Sequence, residues 1–178
     1  MAKIISNNIL VGSKVISSGK RLGVVQAKIV QSVVNKTGTA NAIIFSDTVT
    51  KPESQMTPIE KMERWSVGIS KKELVRLKNR TELDYNKLAK LLSVTRATLI
   101  KKSSSEKFNS ALSERILGLA DIYSYGYHVF EDEEKFNQWM FSQNRALGGK
   151  TPYDVCNNQF GREEVKNIIG RIDYGVYS

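Results

Sequence analysis

The sequence predicts a mainly all-α protein, and three features of the chain after residue 56 support this fold class. Apolar residues recur every three or four positions, which is the spacing of a helix that packs along one face. Helix start signals of the Ser/Thr-x-x-Glu and Thr-Pro types precede several of these runs. Glycines that can adopt a positive φ, such as Gly68 and Gly148, follow others and end them.

The composition excludes several classes of protein. With 178 residues, the chain can form one large domain or two small ones. No stretch approaches the roughly eighteen consecutive apolar residues of a membrane helix, so no membrane association is expected. Cys156 is the only cysteine, which excludes an internal disulfide and suits a reducing cytoplasm. Because His128 is the only histidine, a His/Cys metal site is nearly excluded, and no cofactor is expected.

Positive charge is concentrated before residue 109. Residues 1–55 carry seven Lys/Arg and two Asp/Glu, residues 56–108 carry thirteen and six, and residues 109–178 carry seven and ten. Nucleic-acid phosphates attract the basic middle of the chain and repel its acidic end. We therefore divide the chain at these boundaries and expect the second and third segments to bind different partners.

Residues 1–55 form a basic N-terminal extension of uncertain structure. No acid occurs before Asp47, and the apolar residues are too scattered for a secretory signal. Two local structures remain open: a strand at 42–45, or a helix with the stripe Leu22, Val25, Ile29 and Val33. Residues 51–57 have the composition of a linker. The extension is predicted to strengthen DNA binding through phosphates and to be dispensable for folding.

Two helices are predicted between residues 57 and 80. The sequence Thr57–Glu60 combines an N-cap, a proline at the first helical position and a capping-box glutamate. This pattern predicts a helix to about Trp65, which Gly68 ends. Ser70 and Glu73 repeat the capping box and predict the start of a second helix.

Residues 84–102 have the pattern of a helix-turn-helix motif. Ala89 provides the small side chain that the crossing of the two helices requires. Ser93 occupies the turn position that commonly takes glycine. The positions that would face inward are all apolar, namely Leu88, Leu92, Val94 and Leu99.

The second helix of this motif would carry the DNA contacts. The side chains predicted to reach DNA are Thr95, Arg96, Thr98, Lys101 and Lys102. Thr95 would also cap the helix. A helical hairpin with a solvated basic face is the alternative interpretation, but the spacing and the local charge favour DNA binding.

A long helix is predicted over residues 110–130, followed by the acidic run Glu131–Glu134. Its apolar seam skips Gly126 and consists of Leu112, Ile116, Leu119, Tyr123 and Phe130. This seam would pack against another helix, either within the chain or across a homodimer. The acidic run complements the positive dipole end of the next helix.

The last forty residues contain the most specific pattern. An amphipathic helix with Phe136, Trp139 and Met140 on one face precedes the sequence Asn-Arg-Ala-Leu-Gly-Gly at 144–149. Its paired glycines can take a positive φ. Thr151 and Pro152 then predict a short helix. Beyond Gly161, the last helix has the apolar stripe Val165, Ile168, Ile169 and Ile172.

Several C-terminal features occur in a fixed order: Trp139, Asn-Arg-Ala-Leu-Gly-Gly-Lys-Thr-Pro at 144–152, Gly161, Val165 and Gly-Arg-Ile-Asp-Tyr-Gly-Val-Tyr-Ser at 170–178. This order resembles the toxin-binding domain of Xre/MbcA/ParS-type antitoxins, and the resemblance extends back to about residue 57. It implies that a helix-turn-helix domain at 56–108 is followed by a small helical toxin-binding domain at 109–178. Members of this family are partners of RES-domain toxins, which act on NAD.

The resemblance also implies a mechanism. The C-terminal helix and tail would cover the cleft where the toxin takes NAD, and the helix-turn-helix would bind the operator of the protein's own operon. The residues expected to contact the toxin are Trp139, Asn144, Arg145, Arg171, Asp173, Tyr174, Tyr177 and Ser178. A homodimer and a larger complex with the toxin are expected.

No catalytic pattern occurs in the sequence. A P-loop, a Gly-x-Ser-x-Gly elbow and a His-Glu-x-x-His motif are all missing, so an enzyme is not expected and no catalytic or metal-binding residue is assigned. The alternative to an antitoxin is a free-standing helix-turn-helix transcriptional regulator whose C-terminal domain dimerises or senses a ligand. A RES-domain gene immediately downstream would favour the antitoxin.

Overall fold

The computed structural model describes residues 44–45 and 51–176, and these lie in one compact unit. It confirms the mainly all-α fold class. The α-helices are α1 (Pro58–Val67), α2 (Lys71–Thr81), α3 (Tyr85–Leu91), α4 (Arg96–Ile100), α5 (Ser110–Phe130), α6 (Glu133–Met140), α7 (Pro152–Val155) and α8 (Gln159–Asp173). Two short 3-10 helices are Glu53–Gln55 and Arg145–Leu147. Within the described ranges, the only β pairing is an isolated antiparallel bridge between Ser70 and Lys107.

Local sequence signals fix the helix ends. Both predicted capping boxes form, with Thr57 and Glu60 at α1 and with Ser70 and Glu73 at α2. α1 ends at Gly68, whose φ is 80°. Thr151 accepts a hydrogen bond from the Asp154 amide and so caps α7 as predicted. Each cap satisfies an amide that the helix itself leaves without a partner.

The centre of the core is α5. Its predicted seam is buried inside the chain, where α8, α1, α2, α6 and the 3-10 helix Glu53–Gln55 pack against it. Leu112, Ile116, Leu119 and Tyr123 are all less than 5% exposed. The sequence left open whether this seam packs within the chain or across a homodimer, and the structure shows that it packs within the chain. This seam is therefore not available as a homodimer interface.

An aromatic cluster joins the end of α5 to α6. The Phe136 ring meets Tyr123, Tyr127 and Phe130 edge-on, with centroids 5.2–5.6 Å apart, and stacks on Trp139 at 5.5 Å. Gly126 allows this approach, because a Cβ at that position would overlap the Phe136 ring. The interruption of the α5 seam at Gly126 is therefore the position where α6 packs closest.

The prediction of a linker at 51–57 is wrong. Glu53 is 2% exposed, and its carboxylate accepts hydrogen bonds from the amides of Ile44 and Phe45, each at 2.8 Å. Burial raises the pKa of this carboxyl, while the two amide donors act in the opposite direction. Ile44 and Phe45 are themselves buried in the main core. At least this part of the N-terminal segment packs into the core, so we expect it to contribute to the stability of the fold.

Other expectations about the N-terminal segment lie outside the described residues. These are the stripe Leu22, Val25, Ile29 and Val33, and the first half of the strand at 42–45. Ile44 and Phe45, the described half of that strand, are not in a β-strand.

The final helix begins earlier than Gly161. α8 starts at Gln159, and the Asn158 side chain caps it by accepting from the Gly161 amide at 3.0 Å. A Cβ at position 161 would collide with the Val155 carbonyl oxygen. Glycine is required there because the first turn of α8 passes directly against the end of α7. Among the described helices, none is long and apolar enough to cross a membrane.

Candidate functional sites

Two regions bring together the residues selected from the sequence: the helix-turn-helix of α3 and α4, and a groove at the C-terminal end of α8. The helix-turn-helix has the predicted internal packing. Leu88, Leu92 and Leu99 are no more than 1% exposed, and Ala89 is 7% exposed at the crossing. Ser93 adopts a φ of 52°, the left-handed conformation that favours glycine. The turn is closed by the Val94 amide, which donates to the Ala89 carbonyl at 3.0 Å.

Four of the five predicted DNA-binding side chains are exposed on or beside α4: Thr95, Arg96, Thr98 and Lys101. The Thr95 hydroxyl accepts from the Thr98 amide at 3.2 Å and lies 2.9 Å from the Thr98 hydroxyl. Lys102 is partly buried, pairs with Glu106 and stands over the Phe108 ring. A DNA contact by Lys102 would have to replace that ion pair. Of the three cations in this set, Arg96 and Lys101 are therefore the ones exposed for contact with DNA phosphates.

The turn of the motif is held by residues that sequence reasoning did not select. Arg115 of α5 donates to the Leu92 carbonyl at 2.9 Å, and the Ser93 hydroxyl donates to the Asn157 carbonyl at 3.2 Å. Lys90 pairs with Asp154 at 3.1 Å. These contacts fix the angle at which α4 leaves the turn, and thus the direction in which its exposed face points.

Aromatic residues extend this contact. The Tyr153 hydroxyl donates to the Lys87 carbonyl at 3.3 Å, and the Tyr153 ring stacks on Phe141 with centroids 4.8 Å apart. The Lys87 and Lys90 ammonium groups stand over the Phe141 and Tyr153 rings at 4.7 Å and 5.2 Å. The first helix of the helix-turn-helix therefore packs directly on the short helix α7. No local sequence signal could have revealed contacts between the helix-turn-helix and residues more than fifty positions away in the sequence.

The second region is a groove of about 480 Å³. It contains three of the predicted toxin contacts, Trp139, Asn144 and Arg171. The rest of its lining is mostly apolar and consists of Val129, Phe130, Ala146, Ile168, Ile172 and Val176. The groove therefore combines an apolar floor with an amide and a guanidinium. This is the composition of a surface that binds an apolar anchor and orients it with a few polar contacts.

Each of the three predicted residues in the groove makes a contact within the chain that orients its side chain. Trp139 stacks on Phe136, and Arg171 pairs with Glu164 at 3.1 Å. The Asn144 side chain accepts from the Ala146 amide at 2.8 Å and so shapes the loop that forms the rim. Gly148 and Gly149 end this loop with φ values of 65° and 80°, the positive values predicted for them. The groove is therefore largely preformed.

Three other predicted toxin contacts, Arg145, Asp173 and Tyr174, lie outside the groove. Arg145 is exposed on the 3-10 helix Arg145–Leu147 and does not line it. Asp173 accepts a hydrogen bond from the Tyr125 hydroxyl at 3.1 Å, and burial together with this carboxylate raises the pKa of Tyr125 to about 12. Tyr174 is 85% exposed and lines a neighbouring shallow depression of about 600 Å³. Tyr177 and Ser178 lie outside the described residues.

Arg171 and Val176 border both the groove and the depression. The Val176 amide donates to the Arg171 carbonyl at 2.8 Å, so the chain turns back beyond the end of α8. This turn places Val176 at the edge that the groove and the depression share.

The described residues contain no feature that indicates metal or thiol chemistry. No three His, Cys, Asp or Glu side chains there are grouped closely enough to hold a metal ion. Cys156 is 1% exposed, and burial raises the pKa of its thiol to about 12. The thiol is therefore protonated at neutral pH and screened from reagents.

The fold and the two regions define a class of protein: a helix-turn-helix module joined to a small helical module with an apolar groove. Comparison with known proteins identifies both modules. Residues 66–121 match the Antitoxin Xre-like helix-turn-helix domain, and residues 126–175 match the Antitoxin Xre/MbcA/ParS C-terminal toxin-binding domain. The chain therefore contains both domains of the Xre/MbcA/ParS-type antitoxins, the family that its sequence resembles.

Two curated relatives carry the name Antitoxin Xre. The protein from Photorhabdus laumondii subsp. laumondii is 27% identical over 69% of this chain and 74% of its own length. The protein from Yersinia enterocolitica serotype O:8 / biotype 1B is 27% identical over 47% of this chain and 57% of its own length.

Proposed function

We propose that this protein neutralises a cognate RES-domain toxin through its C-terminal groove and tail, and represses its own operon through α3 and α4. One observation carries the first part: Trp139 and Asn144 line the same groove as Arg171, which follows them by 27 positions or more in the sequence. The exposed cations of α4 support the second part. We also propose that the protein acts in the cytoplasm and catalyses no reaction itself. It would form a homodimer within a larger complex with the toxin.

The groove and the tail have different roles in this proposal. Most affinity for the toxin comes from the apolar groove, since a few well-packed apolar and aromatic anchors dominate protein interfaces. The tail reaches beyond the groove and covers the cleft in which the toxin takes NAD. In this proposal, the boundary between residues 108 and 109 separates the two functions. α5 begins just beyond this boundary, and it packs into one core with elements from both sides of it.

Blocking the groove is expected to prevent complex formation. Ala146 is exposed and lines the groove, so Ala146→Glu places a charge and extra volume there without entering the core. We expect at least a tenfold loss of toxin affinity, which corresponds to about 1.4 kcal/mol. The measurement is co-purification and titration with the product of a neighbouring RES-domain gene.

Ala111→Glu is the matched control, because Ala111 is also exposed but lies at the opposite end of α5 from the groove. It should bind the toxin like the wild type, and both variants should melt like the wild type. Wild-type binding by Ala146→Glu would contradict the proposed site. If no RES-domain product binds the wild-type chain, the protein is a free-standing regulator instead.

DNA binding is expected to depend on Arg96 and Lys101. Replacing either with alanine should weaken operator binding, and it should lower the salt dependence of log K by about one unit for each phosphate that the protein no longer neutralises. Gel shifts or anisotropy at several salt concentrations measure both quantities. Lys135→Ala is the control, since Lys135 is an exposed cation on α6, away from α4. Unchanged affinity in both α4 variants, with the fold intact, would exclude this surface.

A further inference from the structure

Lys71, at the start of α2, is a buried cation beside the helix-turn-helix. The residue is only 8% exposed. Lysine is almost never buried to this extent unless a charged partner compensates it. Of the ion pairs between residues in the described ranges, none includes Lys71. Its ammonium group instead makes two contacts with the helix-turn-helix, one at each end of the motif.

The first contact is with the last turn of α4. The Lys71 ammonium donates a hydrogen bond to the Leu99 carbonyl. In a longer helix, this carbonyl would accept from the amide four residues further on, at Ser103. The chain has left the helix by then, and the Ser103 amide donates to the Glu106 carboxylate at 3.3 Å. Lys71 therefore supplies the donor that the end of α4 lacks, and a cation there also complements the helix dipole.

The second contact is with the first residue of α3, Tyr85. The Lys71 ammonium stands over the Tyr85 ring, 4.4 Å from its centroid, which is within the range of a cation–π interaction. The start of α3 and the end of α4 form the open end of the helix-turn-helix, opposite its turn. At the turn, the Val94 amide donates to the Ala89 carbonyl. The backbone thus closes the motif at the turn, and Lys71 joins the two helices at the open end.

The first turn of α2 also fixes the segment that follows α4. The Lys71 amide donates to the Glu106 carbonyl at 3.0 Å, and the Lys72 amide donates to the Ser104 carbonyl at 2.9 Å. With five residues, α4 is too short to be stable by itself. Its orientation therefore depends on the contacts that hold its ends, and Lys101 lies directly beyond the end that Lys71 holds.

We propose that Lys71 is a positioning residue for operator binding. Its ammonium group holds the open end of the helix-turn-helix and so sets the angle at which α4 presents Arg96 and Lys101 to DNA. This inference rests on the proposed binding of an operator by α4. Lys71 itself does not contact DNA in this proposal, because it is buried and its ammonium group is directed at the Leu99 carbonyl and the Tyr85 ring.

The chemistry of the position favours this role over simple space filling. An apolar side chain would fill the same space without the cost of removing an ammonium group from water. Methionine has a similar length to lysine and is flexible, but it cannot donate to the Leu99 carbonyl. The exchange of Lys71 for methionine therefore removes the contact between α2 and the end of α4 and largely keeps the packing.

The test compares Lys71→Met with Lys72→Met in the full-length chain. Each variant removes one positive charge at neighbouring positions, but Lys72 is exposed. Binding to a labelled duplex of the DNA directly upstream of the gene is measured by anisotropy at several salt concentrations. Lys71→Met should bind at least roughly tenfold more weakly with an unchanged salt dependence, because no phosphate contact is lost. Lys72→Met should not show this combination.

Two further measurements distinguish positioning from a general loss of stability. Affinity for the product of a neighbouring RES-domain gene should be the same in Lys71→Met as in the wild type, since Lys71 does not line the C-terminal groove. In the free protein, the amides of α4 should exchange with solvent at least roughly tenfold faster in Lys71→Met, while the amides of α5 keep their wild-type rates.

Wild-type affinity for the duplex in Lys71→Met would overturn the inference. A salt dependence lowered by about one unit would make Lys71 a phosphate contact and also overturn it. So would the same loss in Lys72→Met at unchanged salt dependence, or a parallel loss of toxin binding and of α5 protection. A wild type that does not bind the duplex would contradict the proposed repression, and the exchange rates of α4 would still decide whether Lys71 holds this helix.

Discussion

Deleting Tyr174–Ser178 is expected to abolish protection against the toxin while leaving operator binding unchanged. The deletion begins beyond α8, and Tyr174 and Val176 are exposed, so it removes no described core residue. The tail covers the NAD cleft under the proposed mechanism, whereas most affinity comes from the groove. Cells that express the toxin with the shortened protein should therefore lose viability and NAD, and the two proteins should still co-purify with a roughly tenfold lower affinity.

The control for this deletion is Phe160→Ala, which removes an equally exposed aromatic side chain from the other end of α8. It should protect cells fully. Full protection by the shortened protein would exclude occlusion by the tail, and inhibition would then have to act through assembly of the toxin. Loss of all binding would instead place the main affinity in the tail.

A chain that begins at Met56 is expected to lose most of its stability. It lacks Ile44 and Phe45, whose side chains are 2% and 4% exposed, and the buried Glu53 that joins their backbone to the fold. Removing one buried Ile or Phe side chain typically costs about 2–5 kcal/mol, and whole domains are stable by only about 5–15 kcal/mol. Urea and thermal unfolding followed by circular dichroism measure the loss.

A chain that begins at Asn35 retains all three residues and is the matched control. The point variant Glu53→Ala tests the same contact within the full chain. It removes the acceptor of two buried amides and should cost about 2–4 kcal/mol. A melting temperature equal to the control's for the Met56 chain would mean that Ile44, Phe45 and Glu53 contribute little to the core.

The two functional regions are joined through a short part of the chain. Asn144 forms the rim of the groove, and its amide donates to the Lys150 carbonyl at 3.0 Å. Tyr153 and Asp154, which follow closely, contact Lys87 and Lys90 of the helix-turn-helix. The groove and the helix-turn-helix are therefore connected through residues 144–154, although their proposed partners differ.

The amino-acid sequence by itself determined the helices and their ends. Capping boxes, the Thr-Pro start of α7, and the positive-φ positions at Gly68, Gly148 and Gly149 are satisfied within three or four residues. A local pattern is therefore sufficient to predict them. The helix-turn-helix was predictable for the same reason, because its inward positions and its turn lie within one short stretch. The family was predictable because its motif residues occur in a fixed order.

Only the tertiary structure decided which surfaces these helices present. The sequence predicts a capped helix at α1, but its ion pairs with Lys51, Glu73 and Asp121 determine which side of the helix faces the protein and leave Ile59 and Met62 exposed. The burial of Ile44 and Phe45, and the packing of Tyr153 on the helix-turn-helix, likewise join residues that are distant in sequence. Such contacts depend on how all the elements fill one core, and no periodicity within a single element contains that information.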